Sequence, residues 1–206
     1  MISADEALKQ LKEGNARFVQ GESSISSPIQ QIQDKNISES QAPFAIILGC
    51  SDSRVPAEIV FDQGLGDLFV VRVAGNIVAP SQIGSVEFAV EQFGTPLIVV
   101  LGHTYCGAIK ATLDSFESPL KSEHSIGNIH SIVKRIRPTL SPLYNSALKN
   151  QPDELLRTAI HANIMASVIQ LRSSSQILEH YLAEGKIQIV GAEYDIKTGE
   201  VRFLED

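Results

Sequence analysis

Three short runs of apolar residues divide the middle of the chain, at positions 44–48, 68–73 and 97–101. Each run is continuous and lacks the alternation of apolar and polar residues that marks a strand with one wet face, so we expect strands buried on both sides. Between the last two runs, "SQIGSVEFAVEQF" has the spacing of an amphipathic helix. Strands that alternate with helices predict an α/β fold with a central, mostly parallel β-sheet flanked by helices.

The start of the chain predicts a helix followed by an arm. Ser3 and Glu6 have the spacing of a capping box, and the apolar stripe that follows ends near Gly21. The stretch 22–42 is polar and poor in large apolar residues, so it is predicted to be a linker or surface arm.

The second half of the chain continues the α/β pattern. Helical stretches are predicted at about 126–137 and 153–184, before a strand in "KIQIVGAEYD". The turn "IKTGE" then leads into "VRFLE" as a C-terminal hairpin strand. We expect one domain over 1–206, with an N-terminal helix and arm at 1–42 and an α/β core at 43–206.

Composition and charge exclude several classes of partner. The chain has 206 residues, of which 43% are hydrophobic, and a formal net charge of −7. An acidic chain with scattered lysines and arginines is not expected to bind nucleic acid. It has no apolar stretch approaching ~20 residues, which predicts no membrane span, and its N-terminus lacks the features of a signal peptide. We therefore expect a cytoplasmic location.

Cysteine and histidine side chains follow two of the predicted strands. Cys50 comes after the first run, and "GHTYC" places His103 and Cys106 after the third. Because α/β sheets bind ligands at the carboxyl ends of their strands, we expect these side chains to meet. Zinc prefers thiolate and imidazole ligands, and a catalytic zinc keeps three of them with one position open. The alternatives are a buried structural cysteine beside a hydrogen-bonded histidine, or a disulfide in an exported protein.

An acidic and a basic residue follow the first cysteine in "CSDSR". Two thiolates offset the charge of a zinc ion, so its bound water is less acidic than on three histidines, and a nearby group is needed to assist it. Asp52 could accept a hydrogen bond from that water or hydroxide, and Arg54 would keep the carboxylate ionised. The alternative is an ordinary ion pair within a turn.

Taken together, the motifs resemble those of the β-class carbonic anhydrases. The likeness runs from "EALKQLKEGNARFVQG" through "CSDSRVPAEIVFDQGLGDLFVVRVAGNIV" and "GHTYCGAIKA" to "VGAEYDIKTGEV". It implies one zinc ion per chain on Cys50, His103 and Cys106, and a catalytic dyad of Asp52 and Arg54. It also implies reversible hydration of CO₂ to bicarbonate and a proton, by a zinc-bound hydroxide that the dyad orients.

The same resemblance implies a substrate pocket shared between two chains. Gln41 matches a glutamine that binds substrate, and the amide of Gly107 matches a backbone donor. Phe69 and Phe88 match the apolar wall of the CO₂ pocket, although on their own they are equally typical of ordinary core residues. Since part of this pocket comes from a partner subunit, the resemblance implies a homodimer, alone or within a tetramer or larger assembly.

The same residues are also compatible with other functions. A non-catalytic zinc protein would keep the three ligands, and a redox protein would use the two sulfurs, although neither lies in a C-x-x-C motif. Hydrolysis of CS₂ or COS would use the same site. Some bacterial relatives bind a regulatory bicarbonate beside a tryptophan, where this chain has Ile47, so we do not expect that regulation here.

Overall fold

A computed structural model of the chain describes residues 2–26, 28–34, 40–117 and 127–205. Within these ranges, five strands form one sheet in the order β2-β1-β3-β4-β5. The strands are β1 (Ala45–Gly49), β2 (Leu68–Arg72), β3 (Leu97–His103), β4 (Gln188–Tyr194) and β5 (Val201–Leu204). The first four run parallel to their neighbours and β5 is antiparallel to β4. The predicted fold class, with its C-terminal hairpin strand, is therefore confirmed.

Helices cover both faces of this sheet. They are α1 (Ala4–Gln20), α2 (Pro28–Asp34), α3 (Ala57–Val60), α4 (Pro80–Phe93), α5 (Gly107–Glu117), α6 (Ile129–Tyr144), α7 (Pro152–Ser173) and α8 (Gln176–Ala183), with 3-10 turns at Ala74–Asn76 and Ala147–Asn150. No helix in the described part of the chain is long and apolar enough to cross a membrane.

Alternate side chains of the central strands belong to two separate cores. Ile46 and Leu48 of β1 pack with helices α4 to α8, whereas Ile47 packs on the opposite face with α1 and α3. Every residue of β1 and β3 is buried. This double burial explains why their sequences are apolar without alternation.

The N-terminal helix has the predicted start and end. The Ser3 hydroxyl accepts a hydrogen bond from the Glu6 amide at 3.2 Å, while the Glu6 carboxylate accepts one from the Ser3 amide at 2.8 Å. Gly21 ends the helix with φ 73°. Within it, Gly14 lies against α3 so closely that a Cβ atom would be 1.8 Å from the Phe61 carbonyl oxygen. This close approach sets the distance between α1 and the end of α3.

Three helix predictions need correction. The arm 22–42 contains α2, whose Gln31 side chain accepts a hydrogen bond from the Leu65 amide at 2.7 Å.

Helix α6 continues past residue 137 through Pro138 and Pro142, because its apolar face stays buried against the core. The stretch 153–184 is two helices, α7 and α8. The second begins at Gln176 and is capped by Ser175, whose hydroxyl accepts a hydrogen bond from the Leu178 amide at 3.1 Å.

Candidate metal centre

The carboxyl ends of β1 and β3 bring the predicted ligands together. Cys50 directly follows β1, and His103 is the last residue of the adjacent strand β3. Tyr105 then takes a left-handed φ of 60°, which turns the chain so that Cys106 returns toward the same point. The ligand atoms of Cys50, His103 and Cys106 lie within 4.8 Å of one another. All three residues are buried, and both cysteines are free thiols.

The histidine ring is oriented for metal binding. Its Nδ1 lies 2.9 Å from the Thr104 carbonyl oxygen. A carbonyl can only accept a hydrogen bond, so Nδ1 carries the proton and Nε2 presents a lone pair. That Nε2 atom is buried and has no hydrogen-bond partner among the residues that the structure describes. A buried nitrogen without a partner, facing two sulfurs, fits a zinc ligand.

The pKa values of the two cysteines shift in opposite directions. A hydrogen bond from the Cys106 thiol lowers the pKa of Cys50 well below its ordinary value, and the same contact raises the pKa of Cys106. The Gly75 amide also donates a hydrogen bond to the Cys50 sulfur, at 3.3 Å. A zinc ion would bind both sulfurs as thiolates and release the proton of the Cys106 thiol. The donor set therefore suits zinc in its chemistry as well as in its geometry.

Gly75 is necessary for the contact with Cys50. Its φ is 70°, and a Cβ atom there would lie 2.8 Å from Cδ1 of Ile136. The Asn163 side chain of α7 donates a hydrogen bond to the Gly75 carbonyl at 2.9 Å, and this bond holds the turn in place. A larger residue at position 75 would move the amide away from the sulfur.

Asp52 and Arg54 form a bidentate ion pair beside the ligands. Nε and Nη2 of Arg54 donate hydrogen bonds to the two carboxylate oxygens at 2.9 and 2.8 Å, and the Arg54 amide adds a third at 3.0 Å. The arginine side chain holds the pKa of the Asp52 carboxyl well below its ordinary value. The carboxylate oxygen Oδ2 lies 3.9 Å from His103 Nε2. An ionised carboxylate thus faces the predicted metal position.

Arg72 supports this loop, and the sequence analysis did not identify it. It is the last residue of β2, paired in register with Gly49 of β1. Its guanidinium donates to the Cys50 carbonyl at 2.9 Å and to the Asp52 carbonyl at 2.6 Å. A charged residue at the carboxyl end of a predicted strand was the available signal, because it lies at the same sheet edge as Cys50.

The predicted substrate residues have different positions in the single chain. Phe69 of β2 and Phe88 of α4 have ring centroids 6.2 Å apart, and Phe93 lies at 5.6 Å from Phe88. Phe88 is 51% exposed although its ring lies near those of Phe69 and Phe93. Gly107 is the first residue of α5, and Gln41 is exposed ahead of β1. Of these four residues, Phe69 and Phe88 are the pair whose rings the structure brings together within the described part of a single chain.

Comparison with known proteins gives a consistent result. A family model described as carbonic anhydrase matches residues 45–201. The carbonic anhydrase of Mycolicibacterium smegmatis is 43% identical over 198 residues, covering 96% of this chain and 91% of that protein. Carbonic anhydrase 2 of Mycobacterium tuberculosis is 39% identical over 194 residues, covering 94% and 89%. The solved β-carbonic anhydrase CcaA has a TM-score of 0.77 at 25% identity, with 96% and 95% of the two chains covered.

These matches agree with the fold and with the ligand group at the sheet edge. The chain belongs to the carbonic anhydrase family, in its β class. It is an enzyme, and its activity is that of a carbonic anhydrase.

Proposed function

We propose that this enzyme hydrates CO₂ reversibly at one zinc ion per chain, held by Cys50, His103 and Cys106, with Asp52 and Arg54 orienting the attacking water. The observation that carries the proposal is the arrangement of three buried ligand atoms within 4.8 Å of one another, beside a carboxylate oxygen 3.9 Å from His103 Nε2. Three protein ligands are the number expected for a catalytic zinc with one position open.

When bound, zinc supplies a Lewis acid that lowers the pKa of a coordinated water toward neutral pH. The ionised Asp52 carboxylate accepts a hydrogen bond from the nucleophile and so points a lone pair at the substrate. Arg54 keeps Asp52 ionised and fixes its plane through two parallel hydrogen bonds. The dyad therefore orients the nucleophile, whereas the three ligands bind the metal.

The reaction balances without a redox partner. The oxygen of the nucleophile bonds to the carbon of CO₂, one C–O π bond opens, and the product is bicarbonate. The proton that the water lost passes to solvent or buffer. The reverse reaction breaks the same C–O bond and releases CO₂.

We further propose that the substrate pocket is completed by a second copy of the chain. Gln41 and the Gly107 amide would bind the substrate oxygens, and Phe69 with Phe88 would form the apolar wall. The exposure of Phe88 and Gln41 in the single chain supports this proposal. So does a structural neighbour from Sordaria macrospora, described as a tetrameric β-carbonic anhydrase. The smallest active unit would be a homodimer.

The proposal is tested by stopped-flow CO₂ hydration, with zinc content and sedimentation measured on the same preparation. We expect about one zinc per chain, a dimer or larger species, and activity that is lost on chelation and restored by zinc. Full activity of a metal-free preparation would refute the zinc proposal, and a strictly monomeric active species would refute the shared pocket. CS₂ and COS are assayed in parallel, and a preference for either would redefine the substrate.

A further inference from the structure

The loop that carries two of the three ligands is attached to the C-terminal hairpin. The Thr104 amide donates a hydrogen bond to the Tyr194 carbonyl at the end of β4, at 2.9 Å. The Thr104 hydroxyl accepts a hydrogen bond from the Ile196 amide at 3.0 Å. Thr104 lies directly after His103, so the hairpin contacts the ligand loop at its first turn.

Thr104 also sets the histidine ring. Its carbonyl accepts the hydrogen bond from His103 Nδ1 at 2.9 Å, which leaves Nε2 for the metal. Thr104 therefore forms three hydrogen bonds. Its amide and its hydroxyl bond to the hairpin, and its carbonyl bonds to the His103 ring. If the hairpin bonds loosen, the carbonyl that orients the imidazole is free to turn.

The next residue makes this support necessary. Tyr105 has a left-handed φ of 60°, which is unfavourable for a residue with a side chain, and it lies between His103 and Cys106. The Lys197 ammonium of the hairpin lies 5.0 Å from the centre of the Tyr105 ring. An unfavourable turn between two ligands persists only when contacts on both sides hold it.

The hairpin is itself fixed by the N-terminal helix. The buried Asn15 side chain of α1 donates to the Gly199 carbonyl at 2.8 Å and accepts from the Val201 amide at 2.8 Å. Within the turn, the Asp195 amide donates to the Glu200 carbonyl at 2.8 Å. The hairpin is thus a fixed support for the ligand loop.

We infer that Thr104 is a positioning residue for the metal centre and that its hydroxyl slows the release of zinc by holding the ligand loop against the hairpin. The inference rests on the proposed zinc site. It assigns no contact between Thr104 and substrate. Its effect is therefore expected in zinc retention, where loss of a group that supports a ligand costs about 10- to 100-fold.

The test measures the rate at which zinc-loaded protein releases the metal to an excess of a chromophoric chelator. Thr104→Val removes the hydroxyl and keeps the side-chain shape, and we expect zinc release about tenfold faster. Thr104→Ser keeps the hydroxyl and should restore the rate to near that of the parent. Thr198→Val is the matched control, because the Thr198 hydroxyl accepts a hydrogen bond from the Glu200 amide at 3.2 Å within the same hairpin.

Cobalt-substituted protein provides a second measurement, since a displaced imidazole changes the visible absorption of the metal. Urea unfolding of each variant reports global stability separately, and Thr104→Ala replaces the valine variant if that one does not fold. Parent-like zinc release from Thr104→Val or Thr104→Ala would overturn the inference. Equal acceleration by Thr198→Val would also overturn it. A parent protein that holds no zinc would instead refute the proposed function.

Discussion

The two loops that carry the proposed zinc ligands differ in how they are held. The loop 50–54 supplies one ligand together with a charged pair, and the Arg54 side chain is 52% exposed. The loop 103–106 supplies two ligands and has His103 fully buried. The first loop is fixed through its carbonyls by Arg72, whereas the second is fixed by the hairpin through Thr104.

This difference separates two tasks that a metal enzyme must combine. Chemistry on a substrate requires charged groups at the opening of the site, which water can reach. Metal retention requires buried ligands whose orientation does not change. The loop after β1 is suited to the first task and the loop after β3 to the second, so substitutions in them should have different effects.

The largest expected effect comes from the ligands, where the two loops should behave alike. Cys50→Ala and Cys106→Ala each remove a thiolate from a three-ligand set. We expect zinc below about 0.1 per chain after dialysis against a weak chelator, and hydration at the background rate. Metal analysis and stopped-flow assays measure both. Tightly bound zinc in Cys106→Ala would show that the loop after β3 supplies a different ligand.

The next largest effect should distinguish the loops. Asp52→Asn and Arg54→Ala are expected to keep zinc but to lower kcat by at least about tenfold, because we propose that the dyad orients the nucleophile. Arg202→Ala is the control, since that arginine is 72% exposed in its side chain and lies on β5. Unchanged kcat in the dyad variants would mean that the pair only shapes the turn.

A smaller effect is expected from substitution of Arg72, which supports the loop 50–54. Arg72→Met keeps the aliphatic stem but removes hydrogen bonds to the carbonyls of Cys50 and Asp52. We expect the free energy of unfolding to fall by about 1–2 kcal/mol. We also expect kcat to fall by about three- to fivefold. Urea unfolding and steady-state kinetics measure the two. Arg72→Lys should be intermediate, and a loss of zinc as complete as in Cys50→Ala would contradict the separate roles of the loops.

The smallest effect concerns pH. Hydrogen bonds from Arg54 hold the pKa of Asp52 well below its ordinary value. Stability from such a pair is present above the unfolded pKa of about 3.9 and is lost only as pH falls through the lower native value. The dyad should therefore stay ionised from pH 6 to 9, and kcat should rise with pH along a single ionisation of the activated water.

Stopped-flow rates at constant ionic strength measure this profile. A steep, cooperative fall in rate below neutral pH would contradict it, together with a structure at that pH in which Asp52 binds zinc. Such a result would mean that Arg54 releases the carboxylate, and that Ile47 does not prevent this change.

The sequence predicts the central sheet well because β1 and β3 are buried on both faces, which leaves an uninterrupted apolar run. It also predicts the ligand group, since Cys50 and His103 follow adjacent strands. The helix α2 was missed because seven residues carry little periodic signal and its anchor is a distant contact from Gln31 to the Leu65 amide. The helix predicted at about 126–137 ends too early because Pro138 indicates a helix end when only neighbouring residues are considered. The packing that continues α6 to Tyr144 involves residues distant in the sequence.

The supports of the site could not be predicted for a related reason. Arg72 and Thr104 form these hydrogen bonds with backbone groups. Because nearly all residues carry the same backbone groups, the residue types of the partners do not indicate these contacts. Only the register of β1 with β2, and the position of the hairpin beside β3, place these side chains within bonding distance. The roles proposed for Gln41 and Phe88 depend on a second chain and remain predictions.

The hydrogen bond from the Val201 amide to Asn15 has a consequence for the order of folding. It joins residues 186 positions apart, and closing a flexible loop of that length costs roughly 5 kcal/mol of chain entropy. Such a contact forms favourably only after the intervening sheet has brought its two ends together. The proposed zinc ligands, which lie at the edge of that sheet, are therefore expected to meet before α1 is joined to the hairpin, and a refolding chain would pass through a stage that binds metal but exchanges it quickly. Sampling zinc release at successive refolding times would resolve this stage as a fast-exchanging fraction that disappears when α1 captures the hairpin.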